Sequence, residues 1–207
     1  MRDALALDAL ALLELGSIAR GYRVLDAMVK ESPIQVVHAN LVEPGKFLIL
    51  YGGGVAEVES AHTVGRAIGA DDVLDHVLLP YVRPEVWRGI GGQVATGALD
   101  TVGIVEGSSV AGVLEAADRS LKEAEVTLCG LRLTPALGGK AYYVFEGLQA
   151  DVEAGIAAGV AILEGRGRLV KAELIARPHP EFLGWVLTPA PFAALDRAGV
   201  TSATGGR

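Results

Sequence analysis

Cysteine is almost absent from this chain of 207 residues; Cys129 stands alone. One thiol cannot build an internal disulfide framework, and it fits a reducing cytosol. Aromatic residues make up only 5% of the chain, so its core must be built mostly from small aliphatic side chains. The histidines His38, His62, His76 and His179 are scattered, and no pair has the HExxH or related spacing of a metal site. They read as single residues on surfaces or at element ends, and no metal is expected. Positive charge is in deficit: 18 Lys and Arg against 25 Asp and Glu leave a net charge of −7. That balance argues against a general binder of nucleic-acid backbones. No apolar run reaches membrane-spanning length, so no membrane partner is expected. The Leu5–Leu13 run could pass for a signal peptide. However, Asp3 and Asp8 interrupt it and only Arg2 supplies basic charge, so a strand is expected there.

What is present is hydrophobic and repeated. Ala, Val, Leu and their like make up 51% of the residues, and the mean hydropathy is +0.39. Such a chain suits close packing and interfaces that a monomer would not need. Glu14–Glu31 returns at Glu106–Glu123, with Ser17 matching Ser109, Asp26 matching Asp118, and Lys30-Glu31 matching Lys122-Glu123. After a small insertion, Gly45-Lys46 matches Gly139-Lys140, Gly65 matches Gly159, and Pro84-Glu85 matches Pro180-Glu181. A tandem duplication this regular makes two similar small domains and points to a function built on symmetry.

Within the first repeat, Leu10–Leu15 reads as a strand and Ser17 as a helix N-cap. Ile18, Tyr22, Leu25 and Val29 then mark one helix face, as Val110, Leu114, Ala117 and Leu121 do in the second repeat. A strand at Ile34–Val42, a turn at Pro44-Gly45, a strand at Phe47–Tyr51, a helix at Val55–Ile68 and a strand at Val73–Leu79 follow. The second repeat gives 101–107, 109–123, 126–134, 140–146, 148–163 and 169–176 in the same β-α-β-β-α-β order. The expectation is an α+β chain of two tandem split-βαβ (ferredoxin-like) domains, each an antiparallel sheet with two helices on one face. The boundaries are 8–90 and 101–187, with a linker at 91–100 and a flexible tail at 188–207.

Nothing converges on catalysis. Cys129 sits in a predicted strand and reads as a small buried hydrophobe. Glu14 and Glu106 both end first strands, which suggests a structural bond to a helix N-terminus; duplication alone explains their pairing. Gly52–Gly54 reads as a tight strand-to-helix turn, since no phosphate-loop spacing surrounds it. The segment KAYYVF at 140–145 loosely mimics an RNA-stacking strand, but its counterpart KFLILY is mostly aliphatic, so sheet packing is the better reading. The loops 42–46 and 134–140 each join the middle two strands and each end Gly-Lys. In a monomer they are hairpin turns. In a ring of repeats they would crowd an axis and line a hole, with Glu43 available to tune its charge.

The chain resembles the tandem-domain, trimeric class of bacterial microcompartment shell proteins. The resemblance rests on DAMVKES (26–32) and DRSLKEA (118–124), on GKFLILYGGGVAEVESA (45–61) and GKAYYVFEGLQADVEAG (139–155), and on ELIARPHPEF (173–182). It spans roughly Leu10 to Leu187 and covers both repeats. It implies a homotrimer: a flat pseudohexagonal tile with a central pore, joined to hexameric and pentameric shell proteins around encapsulated enzymes. Carried over by position, Lys30, Lys122 and Arg177 are tile-edge contacts. Tyr81 stands where the first repeat's edge arginine is expected. Val42, Glu43, Pro44 and Gly45, with Pro135, Ala136, Leu137, Gly138 and Gly139, are the implied pore lining. Some relatives hold an iron–sulfur cluster on pore-loop cysteines; neither loop here has one, so no cofactor is expected. Both repeats run in unpermuted order, which implies a single-layer tile with a narrow, ungated pore. The expected function is a structural shell protein, not an enzyme, located in a microcompartment shell in the cytoplasm. The alternative is a small-molecule-binding regulatory module of split-βαβ type, and an enzyme has least support.

Overall fold

The computed structural model describes residues 7–93, 95–97, 99–133, 137 and 139–186. The chain divides into two compact units, residues 1–84 and 85–207.

In the first unit, β1 (Ala9–Leu15), α1 (Ile18–Glu31), β2 (Gln35–Val42), β3 (Lys46–Gly53), α2 (Val55–Gly69) and β4 (Val73–Pro80) follow in the expected order. A single 3₁₀ turn at Ala70–Asp72 leads into β4. The sheet order is β2-β3-β1-β4, antiparallel throughout. Ser17 caps α1 as its spacing predicts, accepting a hydrogen bond from the Arg20 N–H at 3.2 Å. The odd-numbered residues of β1 and β3, from Ala9 to Leu15 and from Phe47 to Tyr51, face the helices. They form the core with Val24, Met28, Val58 and Ala61.

A short helix, α3 (Pro84–Ile90), starts at the last residue of the first unit and opens the second, where its Gly89 lies over Leu128 and Leu131. Then come β5 (Thr101–Gly107), α4 (Val110–Glu123), β6 (Thr127–Leu133), β7 (Ala141–Gly147), α5 (Gln149–Gly165), β8 (Leu169–Ala176) and α6 (Pro180–Val186). The strand order β6-β7-β5-β8 repeats that of the first unit. The two seven-residue helices α3 and α6 are additions to the expected elements. Each begins at the matched Pro-Glu, the proline setting φ for a helix start. They are too short for a periodic apolar signal. Residues 188–207, expected as a tail, lie outside the described residues, as do Pro135, Ala136 and Gly138 of the second loop.

The two cores fill the same space differently. In the first, Gly21 of α1 lies directly under the Phe47 ring, and a Cβ there would collide with it. The matched pair in the second is Val113 and Ala141, both fully buried. Bulk has moved from sheet to helix.

Candidate functional site

Each sheet has two chemically distinct ends. β1 pairs Leu15 with Phe47 and Val73 at one end, and Ala9 with Gly53 and Pro80 at the other. The turn at 43–45 therefore lies at the Leu15 end. α1 starts there and runs back about 20 Å, at 1.5 Å per residue, so Lys30 in its last turn lies at the far end with Tyr81. The second unit repeats this plan, with Lys122 and Arg177 at the end opposite Leu137 and Gly139. The residues implied for a pore and those implied for an edge are thus at opposite ends of each sheet. Of the first group, Val42 is buried at the end of β2. Glu43, Pro44 and Gly45 form an exposed turn, with Gly45 at φ 105° and nothing within 4 Å of a Cβ built on it.

At the turn end the recurrent Glu and the recurrent Gly-Lys are one feature. Lys46 Nζ donates to Glu14 Oε2 at 3.0 Å, and Lys140 Nζ donates to Glu106 Oε1 at 3.0 Å. The expected bond from these glutamates to a helix N-terminus is therefore corrected: the Ser17 and Ser109 hydroxyls cap the helices, and the glutamates reach across the sheet to lysine. The pair is buried in the first unit, where the Glu14 side chain is 0% exposed. It is open in the second, where Glu106 is 33% exposed. Across β1 from Glu14 stands Asp75, and across β5 from Glu106 stands Lys171.

At the edge end, Lys30 bonds Asp26 and Lys122 bonds Asp118, both at 2.6 Å and both one helical turn apart. Tyr81 and Arg177 share a left-handed backbone, φ 52° and 49°, which is uncommon outside glycine and here recurs at one repeat position.

Of the stripe Ile18, Tyr22, Leu25 and Val29, only Leu25 packs into its own core, beside the buried Gly21, Val24 and Met28, and the Tyr22 ring touches the edge of that core at Phe47. Tyr22 is 58% exposed and Val29 47%. In α4 the matched Val110, Leu114, Ala117 and Leu121 are all buried. The same surface is bare in one repeat and covered in the other.

The structure also assembles a group that no local spacing signals. Tyr51 of β3 bonds His62 Nδ1 at 2.6 Å, and His62 Nε2 lies 3.2 Å from His76 Nδ1 of β4. Burial, together with the charges of His76 and Arg66, pushes the His62 imidazole down to about 4. His62 and His76 are 14 residues apart on a helix and a strand, so only the tertiary fold brings them together. Among the described residues there is no cluster of three or more metal-ligating side chains. Cys129 is fully buried with Val102 and Val144, and burial drives its thiol up to about 12, unlike a nucleophile. Tyr143 and Phe145 stack at 5.5 Å beneath the helices, fully buried and out of reach of any base.

Residues 9–82 and 101–178 each match the BMC domain family. The chain is 36% identical over 172 residues to the bacterial microcompartment shell protein PduT of Citrobacter freundii, covering 83% of this chain and 94% of that one. It is 38% identical over 88 residues to the carboxysome shell protein CcmK2 of Thermosynechococcus vestitus, a span of 42% of this chain and 83% of that one. A solved microcompartment protein of Desulfitobacterium hafniense superposes with a TM-score of 0.75 at 37% identity, covering 86% of this chain and 98% of that one.

Proposed function

This chain belongs to the BMC domain family of microcompartment shell proteins, and on that premise we propose that three copies close into a pseudohexagonal tile with a central pore. Its role is structural, as part of a microcompartment shell.

One observation carries the trimer. Val110, Leu114 and Leu121 of α4 are buried, whereas the matched Ile18, Tyr22 and Val29 of α1 are exposed. An exposed apolar face of this kind calls for a cover. A second copy supplies it head to tail, and repeated heterologous contacts of this kind close into a ring. Three chains carry six units around the axis.

In that ring the turn ends of the sheets gather at the axis and the lysine ends form the rim. Val42–Gly45 and Pro135–Gly139 then alternate around the pore. The Glu43 turns contribute three carboxylates, whereas the second loop contributes none. Lys30 and Lys122, each oriented by an aspartate one turn back, meet neighbouring tiles together with Tyr81 and Arg177. The neighbours are the hexameric and pentameric shell proteins, the tile is a single layer with an ungated pore, and it performs no turnover.

Sedimentation velocity of the purified chain tests the reading. A three-chain species is expected, and Tyr22→Glu is expected to convert it to a smaller one by placing a charge in the contact. A parent that sediments as a monomer overturns the ring and the pore together.

A further inference from the structure

The short helices α3 and α6 hold matched residues in opposite states. In α3, Gly89 is seated on the edge strand β6. A Cβ built on it would stand 3.0 Å from Leu131 Cβ and 3.1 Å from Leu128 Cδ2, and both leucines are buried. In α6 the matched residue is Trp185, 84% exposed, the barest large apolar side chain among the described residues. We propose that Trp185 is an anchor between copies of this chain: α6 of one copy seats on the edge strand β2 of the next, with the indole over Val36 and Ala39. The inference rests on the ring reading above and names two of the surfaces that meet in it.

Four observations support the assignment. First, register equates the receiving strands. Val36 pairs with Tyr51 as Leu128 pairs with Phe145, and Ala39 pairs with Ile49 as Leu131 pairs with Tyr143. Both strands shift register at the same place, after Val36 and after Leu128. Yet Leu128 and Leu131 are buried, whereas Val36 and Ala39 are only half-buried. Second, bulk is exchanged between helix and strand. Where the helix has glycine the strand carries two leucines, and where the helix carries the indole the strand is trimmed to valine and alanine. Large meets small in both pairings, which fills the contact without overpacking it. Third, α6 is fastened so as to present the indole. Val186 packs against Val102, Cys129 and Val144. Successive positions on a helix are about 100° apart, so Val186 turned to the sheet carries Trp185 out to the side. Fourth, the receiving strand continues the bare face of α1. Leu41 of β2 is exposed and pairs with Phe47, whose ring lies 4.9 Å from that of Tyr22. A contact between α6 and β2 joins two different surfaces, so it repeats from copy to copy around a ring.

The experiment is sedimentation equilibrium of the full chain and of Trp185→Ala over a range of concentrations, with cross-linking of the double variant Trp185→Cys, Ala39→Cys. Trp185→Ala is expected to raise the concentration at which the trimer dissociates by at least about 10-fold, as loss of a buried aromatic anchor does. Trp185 is exposed in the single chain, so the variant keeps its fold, which circular dichroism verifies. The two cysteines, oxidised at a concentration where the double variant sediments as a trimer, are expected to join chains into species that reducing agent separates. Each single cysteine variant should form none, because Cys129 is fully buried. A parent trimer with Trp185→Ala unchanged, or a trimeric double variant without cross-links, overturns this inference and leaves the ring standing. A parent that is monomeric at every concentration overturns both.

Discussion

Two ion pairs at matched positions do not weigh the same. Glu14 is fully buried against Lys46, whereas Glu106 and Lys140 are in solvent contact. Removing one partner of a buried pair costs roughly 3 kcal/mol, and removing one from an exposed pair costs roughly 1 kcal/mol or less. Lys46→Met is therefore expected to lower the unfolding free energy by about 2 kcal/mol more than Lys140→Met, read by urea denaturation at low salt. Equal losses would place the strength of the first pair elsewhere. His62 supplies a pH dependence. Its folded value of about 4 lies below the ordinary 6.5, so the folded state keeps it neutral while the unfolded state takes up a proton. Its contribution is complete above pH 6.5 and is lost as pH falls toward 4, on the order of 3 kcal/mol at most. Urea midpoints measured from pH 7.5 down to 4.5 should fall in the parent and fall less steeply in His62→Gln. Parallel slopes would show that other groups carry the acid sensitivity.

Elements that share a fold need not share a packing solution. Gly21 and Phe47 in the first core stand where Val113 and Ala141 stand in the second. Gly21→Val alone collides with the Phe47 ring, and Phe47→Ala alone leaves a cavity costing roughly 3–5 kcal/mol. The pair together copies the arrangement of the second core. A double-mutant cycle is expected to show the double variant more stable than the sum of the singles by at least about 1 kcal/mol. Strict additivity would mean that the two sites relax independently. The helices themselves were legible because local chemistry writes them. Ser17 and Ser109 cap, and Asp26–Lys30 and Asp118–Lys122 are one turn apart. The short helices α3 and α6 were not legible, since seven residues hold too little periodicity and their formation depends on packing.

Across the whole molecule, assembly follows from what a single chain leaves bare. The Ile18, Tyr22 and Val29 surface is the trimer contact proposed above, and the lysine ends are the contacts proposed between tiles. Lys30→Ala combined with Lys122→Ala is expected to leave the sedimentation coefficient unchanged while reducing the sheets visible by negative-stain electron microscopy. Sheets as abundant as the parent's would remove those lysines from the edge. The trimer and the tile contact are thus separable by measurement.

Read without coordinates, the chain declares its duplication, its β-α-β-β-α-β order, its helix caps and its family. Each of these is written in residues close in sequence or repeated at a fixed offset. The periodicity of α1 marks an apolar stripe without saying what covers it: Leu25 packs against the core, whereas Ile18, Tyr22 and Val29 are exposed. An amphipathic pattern records that a face avoids water, not which surface shields it. The Glu14–Lys46 bond and the Tyr51–His62–His76 chain escaped for a related reason. Their partners lie on separate elements, and only the register of β1 against β3 and β4 and the seating of α2 on the sheet bring those side chains within hydrogen-bond reach.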